Sequence, residues 1–91
     1  MPAKNFWLCL QKRATGFAVR TLRLHHFPEE DRYMMIYTRQ GQDQVKCQGT
    51  RRSVCEKALN KIKADLEKNL WECKSFQNVR VFYPHYTDIK Y

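Results

Sequence analysis

Apolar and polar residues alternate through most of the first half of the chain, and this alternation predicts a series of short β-strands. The clearest case is 32–39, where Tyr33, Met35 and Tyr37 share one side of a strand and alternate with Met34 and Ile36. The same pattern predicts further strands at 6–10, 17–24 and 44–48. Polar stretches with glycine or proline predict turns or loops at 12–16, 25–31 and 40–43.

After Gly49 the spacing of apolar residues changes to three and four, which is typical of an amphipathic helix. The apolar positions are Cys55, Leu59, Ile62, Leu66 and Leu70. We predict one long helix over about 51–70. Leu59, Ile62 and Leu66 are expected to be buried against the strands.

The residues after the helix are predicted as a connector at 71–78 and a last strand at 78–83, ended by Pro84. The length of 91 residues suits one domain, predicted at 1–84 with a tail at 85–91. Whether the chain is a whole protein or an excised domain stays open. The predicted fold class is α+β, with an antiparallel sheet of four to five strands packed against one long amphipathic helix.

The chain is strongly basic, with 17 lysine and arginine residues against 9 acidic ones and a formal net charge of +8. This balance favours an anionic partner such as nucleic acid. No apolar run approaches the ~20 residues that span a bilayer, so no membrane partner is expected. No secretory signal is recognised at the start of the chain, which favours an intracellular, nuclear or cytoplasmic protein.

Four scattered cysteines, Cys9, Cys47, Cys55 and Cys73, form no C-x-x-C pair. Without a recognised secretory signal we expect reduced thiols in core or half-buried positions. The three histidines are too dispersed for a metal site, and no cofactor is expected.

The chain shows no motif for catalysis. It has no P-loop, no dinucleotide-binding glycine pattern and no nucleophile elbow. The acidic residues at 29–31 are consecutive, so their side chains do not converge. Cys55 would need a nearby base to act as a nucleophile, and packing beside Leu59 is the preferred interpretation. We therefore predict a protein that is not an enzyme and has no small-molecule substrate.

The start of the helix carries the strongest functional signal. Thr50 is a good N-cap residue, and Arg51 and Arg52 follow it. Cations are unfavourable for helix stability at this end, whereas anions bind well there. We therefore interpret the helix start as a phosphate site. The further candidates are Lys57 and Lys61 on the helix and Lys46 on the preceding strand.

From Arg32 onward, the chain has an alternating strand, a turn at Gly41, a short strand at 45–48 and a basic helix start at 49–52. This order resembles the second half of a double-stranded RNA-binding domain. The resemblance implies a diverged fold of that type, in which Arg51 and Arg52 grip phosphates across the RNA major groove and Thr50 caps the helix.

Two departures from that family pattern stand out. The family begins with a helix that enters a minor groove, whereas 5–10 reads as a strand here, and Cys55 stands where a third basic residue is usual. Whether the first ten residues form a helix or a strand is therefore a discriminating observation. A helix would restore the RNA-binding pattern, and a strand would favour a protein partner.

Two functions follow from these patterns. The first is a module that binds structured, double-stranded RNA through phosphate contacts. The alternative is a protein-interaction or dimerisation module that uses a sheet edge, for instance that of the N-terminal strand, together with exposed aromatic residues. The aromatic candidates are Trp7, Trp71, Tyr83, Tyr86 and Tyr91.

Overall fold

The computed structural model describes residues 4–77, which form a five-stranded sheet and one helix. In chain order the elements are β1 (Lys4–Arg13), β2 (Gly16–Phe27), β3 (Arg32–Arg39), β4 (Gln42–Gly49), α1 (Arg52–Lys68) and β5 (Glu72–Gln77). All strand pairs are antiparallel, and their order across the sheet is β4-β3-β2-β1-β5. The α+β class and the antiparallel sheet are therefore confirmed, with five strands.

The N-terminal segment is a strand, and it lies inside the sheet. β1 pairs with β2 on one side and with β5 on the other. It therefore has no free edge over its paired length, and the hypothesis of dimerisation through the edge of the N-terminal strand is wrong. Within residues 4–77 the outer strands of the sheet are β4 and β5.

The hairpin between β3 and β4 turns through Gln40 and Gly41, which both have positive φ angles, 53° and 75°. Two consecutive positive φ values are typical of the tight turn whose twist matches that of a hairpin, and glycine adopts them without steric cost. Further along, β4 contains a bulge, because Met35 pairs with Cys47 whereas Ile36 pairs with Val45. Lys46 is the extra residue in this bulge.

Helix α1 covers one face of the sheet and forms the core there. The buried residues of this core are Cys9, Leu22, Leu24, Met35, Tyr37, Cys55, Leu59, Leu66 and Trp71. Leu59 and Leu66 are buried as predicted. Ile62 is only half-buried because it packs at the margin of the core beside a groove, so its predicted burial is wrong.

Both ends of the helix differ from the sequence prediction. Helix α1 begins at Arg52, the N-cap position is Arg51, and no side chain caps it. Thr50 therefore lies one residue too early to be the N-cap. At the other end Leu70 adopts a left-handed φ of 69° and is exposed, because the helix ends at Lys68 and the chain turns there.

Residues 72–77 form strand β5, where the sequence predicted a connector. The segment Glu72–Gln77 is mostly polar, so it carries little of the alternation by which a strand is recognised. Its pairing with β1 decides its structure, since Cys73 lies directly across from Cys9. The predicted strand at 78–83 and the predicted tail at 85–91 lie outside the described residues.

All four cysteines are paired, so the prediction of reduced thiols is wrong. Cys9 of β1 is bonded to Cys73 of β5, and Cys47 of β4 is bonded to Cys55 of α1. The pairs are 64 and 8 residues apart in sequence. Spacing along the chain gave no sign of either pair, because each one depends on strands and helix that meet only in the fold.

Candidate anion-binding surface

The predicted phosphate site surrounds the connection between β4 and α1. Thr50 and Arg51 are exposed in this connection, and Arg52 is the first residue of the helix. Cys55 anchors the first turn of the helix to β4 through its disulfide with Cys47. The helix start is therefore held covalently against the sheet, which fixes the position of the cations that it carries.

Arg52 is the least available of the predicted cations. Its Nε lies 3.0 Å from Oε2 of Glu56, one helical turn further on, and its guanidinium lies 5.9 Å from the centre of the Tyr33 ring. The side chain is half-buried between these partners. Glu56 also neutralises much of its charge, so Arg52 contributes less to anion binding than its position in the sequence suggested.

Four other predicted cations are exposed and have no ion-pair partner among residues 4–77. These are Lys46, Arg51, Lys57 and Lys61. Lys57 and Lys61 are four residues apart on α1, so their side chains are neighbours on its outer side. Elsewhere on the helix, Lys63 is paired with Glu67. These four cations form one group of uncompensated positive charge, and further exposed cations without an ion-pair partner among residues 4–77 include Lys12, Lys68 and Lys74.

The bulge in β4 brings Lys46 and Lys61 to the same groove. This groove has a volume of about 380 Å³ and is lined by Tyr37, Lys46, Ala58, Lys61, Ile62 and Asp65. A bulge changes the direction of the side chains around it. Since Lys46 occupies the extra position in β4, the strand and the helix together form a cationic rim, with Asp65 as the acidic residue of the lining.

A second hollow of about 300 Å³ continues along the same flank of the helix. It shares Tyr37, Ile62 and Asp65 with the groove, and Arg20 lies at its wall. Sequence reasoning did not select Arg20, although one signal was present. Arg20 lies two and four residues before Leu22 and Leu24, so strand alternation places an arginine on the apolar side of β2.

The aromatic residues expected at the surface are distributed differently. Trp71 is buried, with only 5% of its surface exposed, and Trp7 is half-buried against the core. Both tryptophans were expected to be exposed, and they instead support the side of the sheet that α1 covers. Tyr83, Tyr86 and Tyr91 lie outside the described residues.

The opposite face of the sheet carries apolar side chains, and no helix within residues 4–77 lies over it. Phe17, Val19, Val45 and Phe76 are all exposed there, and Phe17 is exposed to 66%. We call this the open face. Met34 and Ile36 belong to it by alternation and are buried, but they lie outside the helix-side core.

An ion pair lies near the outer strand on the open face. Arg23 of β2 contacts Asp43 of β4 at 2.7 Å, and Thr38 donates a hydrogen bond of 2.5 Å to the same carboxylate. Burial raises the pKa of Asp43, but the hydrogen bonds from Thr38 and Arg23 and the charge of Arg23 outweigh burial. The pKa therefore lies below its ordinary value.

Residues 4–77 contain no group of three or more side chains suited to hold a metal ion. Within the same part of the chain, no helix has both the length and the apolar character needed to cross a membrane. No protein-family model, curated protein or solved structure matches this chain. The resemblance to double-stranded RNA-binding domains therefore stays a hypothesis.

Proposed function

We propose that this protein is a non-enzymatic binding module for structured RNA, in a diverged relative of the double-stranded RNA-binding fold. The observation that supports this function is a group of exposed cations beside the start of α1 and along its first ten residues, none of which has an ion-pair partner among residues 4–77: Lys46, Arg51, Lys57 and Lys61. Thr50 and Arg52 complete the proposed contact surface. Arg52 contributes less positive charge to this surface than the others, since Glu56 already neutralises it.

Phosphate contacts suit this arrangement better than the reading of bases. Lysine and arginine side chains on a rigid helix can follow a phosphate backbone without reading base edges. Double-stranded RNA is recognised mainly by its shape, its phosphates and its 2′-hydroxyl groups. We therefore expect affinity that depends steeply on salt and little on sequence.

The test is a double variant, Arg51→Ala with Lys57→Ala, measured against two unrelated RNA duplexes over a range of salt concentrations. Affinity for both duplexes should fall to a similar extent. The slope of log affinity against log salt should decrease by about two, one for each phosphate that is no longer neutralised. The fold should be retained, because exposed cations near a helix N-terminus add little to stability.

A matched control removes the same charge from elsewhere. Lys12 and Lys74 are exposed and lie on the opposite side of the sheet by strand alternation. The variant Lys12→Ala with Lys74→Ala should leave the salt slope close to that of the wild type. Two results would contradict the proposal: no duplex binding by the wild type at low salt, or equal losses in the two double variants.

The disulfides bear on where the protein works. Disulfides persist in oxidising compartments and are rare in the cytosol and nucleus. With all four cysteines paired, we propose an oxidising compartment in place of the nuclear or cytoplasmic location that the sequence favoured.

Two observations favour a second candidate function, association with protein. The N-terminal segment is a strand, which was the outcome that pointed to a protein partner. The open face also presents Phe17 and Val19 to solvent. We propose a second copy of this chain as the partner, because an exposed apolar surface that contains the internal ion pair Arg23–Asp43 can be buried against its own copy. The net charge of +8 opposes this association, so the apolar contact has to outweigh it.

The surface proposed for this association is a face of the sheet and not an edge. The outer strand β4 is mostly polar and contains the bulge at Lys46. Bulges and lysine residues protect an edge from pairing with another strand. On the open face, Phe17 and Val19 lie on β2 inside the sheet, with Lys12 directly across from Phe17.

A further inference from the structure

We infer that the RNA-binding surface has a second contact region, an arginine cluster formed by Arg13, Arg20 and Arg39 beyond the C-terminal end of α1. This inference rests on the function proposed above and states how the partner is held. The duplex would lie along the flank of the helix, with phosphates contacting the helix start at one end and the arginine cluster at the other.

Arg20 is the fixed centre of the cluster. Its guanidinium lies 4.4 Å from the centre of the Trp71 ring, and its Nη1 donates a hydrogen bond of 2.9 Å to Oη of Tyr37. Both partners are uncharged and belong to the core. The positive charge is therefore held in one place without being neutralised, a state that suits recognition of an anion.

Arg13 and Arg39 flank this centre on the same side of the sheet. Arg39 lies directly across from Arg20 in the pairing of β2 with β3. The guanidinium of Arg13 lies 5.9 Å from the same Trp71 ring. Both side chains are exposed. Three separate strands thus place one arginine each at the end of the sheet near the helix C-terminus.

None of the three arginines forms an ion pair with an acidic side chain in the described part of the chain. Three unneutralised cations close together repel one another, so the arrangement costs stability unless an anion is present. The carbonyl end of α1 offsets part of this repulsion through its partial negative charge. Asp65, in the wall between the two hollows, is the acidic side chain of that lining.

The separation of the two regions indicates the kind of partner. Helix α1 has 17 residues, so its ends are about 25 Å apart at 1.5 Å per residue. A single phosphate or carboxylate cannot contact both ends. The groove with Lys46 and Lys61 lies between them, and it shares Tyr37, Ile62 and Asp65 with the hollow beside Arg20. A continuous, rigid polyanion matches this row of cations.

The experiment uses the variant Arg13→Ala with Arg39→Ala, and it leaves Arg20 in place because that side chain packs on the core. The probes are a long RNA duplex and a duplex half its length. For the long duplex the salt slope should decrease by about two, because two phosphates at the far end are no longer neutralised. The short duplex, which cannot reach both regions at once, should show a smaller decrease.

A charge-preserving variant separates binding from structure. Arg13→Lys with Arg39→Lys keeps both charges and removes the planar guanidinium groups. It should restore the salt slope if the cluster contacts phosphates, and thermal unfolding should show both variants folded. The control Lys12→Ala with Lys74→Ala should leave the slope unchanged.

The outcomes distinguish this inference from the function on which it rests. If Arg51→Ala with Lys57→Ala reduces the slope and Arg13→Ala with Arg39→Ala does not, the second region is wrong and the proposed function stands. If the wild type binds no RNA, or binds only another polyanion such as a sulfated polysaccharide, both are overturned. A reduced slope that the lysine variant does not restore also overturns the second region.

Discussion

The two faces of the sheet are built from the same strands but differ in what covers them. On the helix side, Cys9, Leu22 and Met35 have no exposed surface. On the open face, Phe17 and Val19 are exposed to 66% and 51%. Both sets consist of apolar residues on alternating positions of β1–β3. Met34 and Ile36 are nevertheless buried on the open face, at 2% and 0% exposure, so burial there does not depend on α1. The apolar pattern therefore shows that these strands have apolar residues on both sides, and α1 packs over one of the two.

The faces also differ in how charge is arranged. On the helix side, Arg20 is held by Trp71 and Tyr37, and the exposed cations have no acidic partners within residues 4–77. On the open face, Arg23 is neutralised by Asp43, whereas Lys12 and Lys74 are exposed there without an ion-pair partner among residues 4–77. The helix side has the larger group of unneutralised cations and therefore suits a polyanion, whereas the open face has the exposed apolar residues Phe17 and Val19 and suits a protein surface. The two candidate functions therefore belong to opposite faces of the molecule.

The largest expected effect concerns the disulfides, which both lie on the helix side. Loop-closure entropy predicts that removing the Cys9–Cys73 bond, 64 residues apart, costs about 4 kcal/mol of unfolding free energy. The same relation gives about 2.5 kcal/mol for the Cys47–Cys55 bond, 8 residues apart. The measurement is urea unfolding of the two double cysteine-to-alanine variants without reductant.

The critical part of this prediction is that loss of the Cys9–Cys73 bond destabilises the protein more than loss of the Cys47–Cys55 bond. Wild-type protein unfolded in the presence of reductant serves as the control for removal of both bonds. A larger effect for the Cys47–Cys55 variant would mean that attachment of the helix to β4, and not the position of β5, limits the stability of the helix side.

The strands, the helix and the disulfides also show which parts of the fold the sequence could predict and which it could not. Strands β1–β4 and the helix followed from local alternation and spacing, because their side chains contact the core at regular intervals. Strand β5 and the disulfides depend on pairing between residues that are distant in sequence, and no local pattern encodes that pairing. The same holds for the arginine cluster, which is assembled from three strands.

The candidate site was predictable to a similar extent. Lys57 and Lys61 share the outer side of the helix as their spacing required, and Arg51 is exposed beside it. The role of Thr50 could not be fixed, because the end of a helix depends on tertiary contacts to within a residue or two. The approach of Lys46 to Lys61 depends on the β4 bulge, which the sequence does not mark.

The next prediction compares how much unfolding free energy is lost when residues on the two faces are replaced. Leu59→Ala removes a buried side chain under the helix and should cost on the order of 2–5 kcal/mol of unfolding free energy. Ile62→Ala should cost less, because Ile62 is half-buried. Phe17→Ser with Val19→Ser alters exposed positions and should change stability by about 0.5 kcal/mol or less per residue. Chemical denaturation of dilute protein measures all three.

The same open-face variant tests association of two copies. Sedimentation over a range of concentrations should show that wild-type protein associates and that the serine variant remains monomeric. Wild-type protein that stays monomeric at every concentration would remove the second candidate function. A serine variant as unstable as Leu59→Ala would show that another part of the chain covers this face.

The smallest effect concerns the ion pair on the open face. The pKa of Asp43 lies below its ordinary value of 3.8, because its bonds to Thr38 and Arg23 outweigh burial. Its contribution to stability is therefore complete above the ordinary pKa and is lost as pH falls through the lowered pKa of the folded state. Asp43→Asn should be less stable than the wild type near neutral pH, and the difference should shrink below about pH 4.

Glu29→Gln, in an exposed loop, is the control. A difference between Asp43→Asn and the wild type that stays constant down to acidic pH would show that hydrogen-bond geometry, and not the carboxylate charge, stabilises this part of the open face.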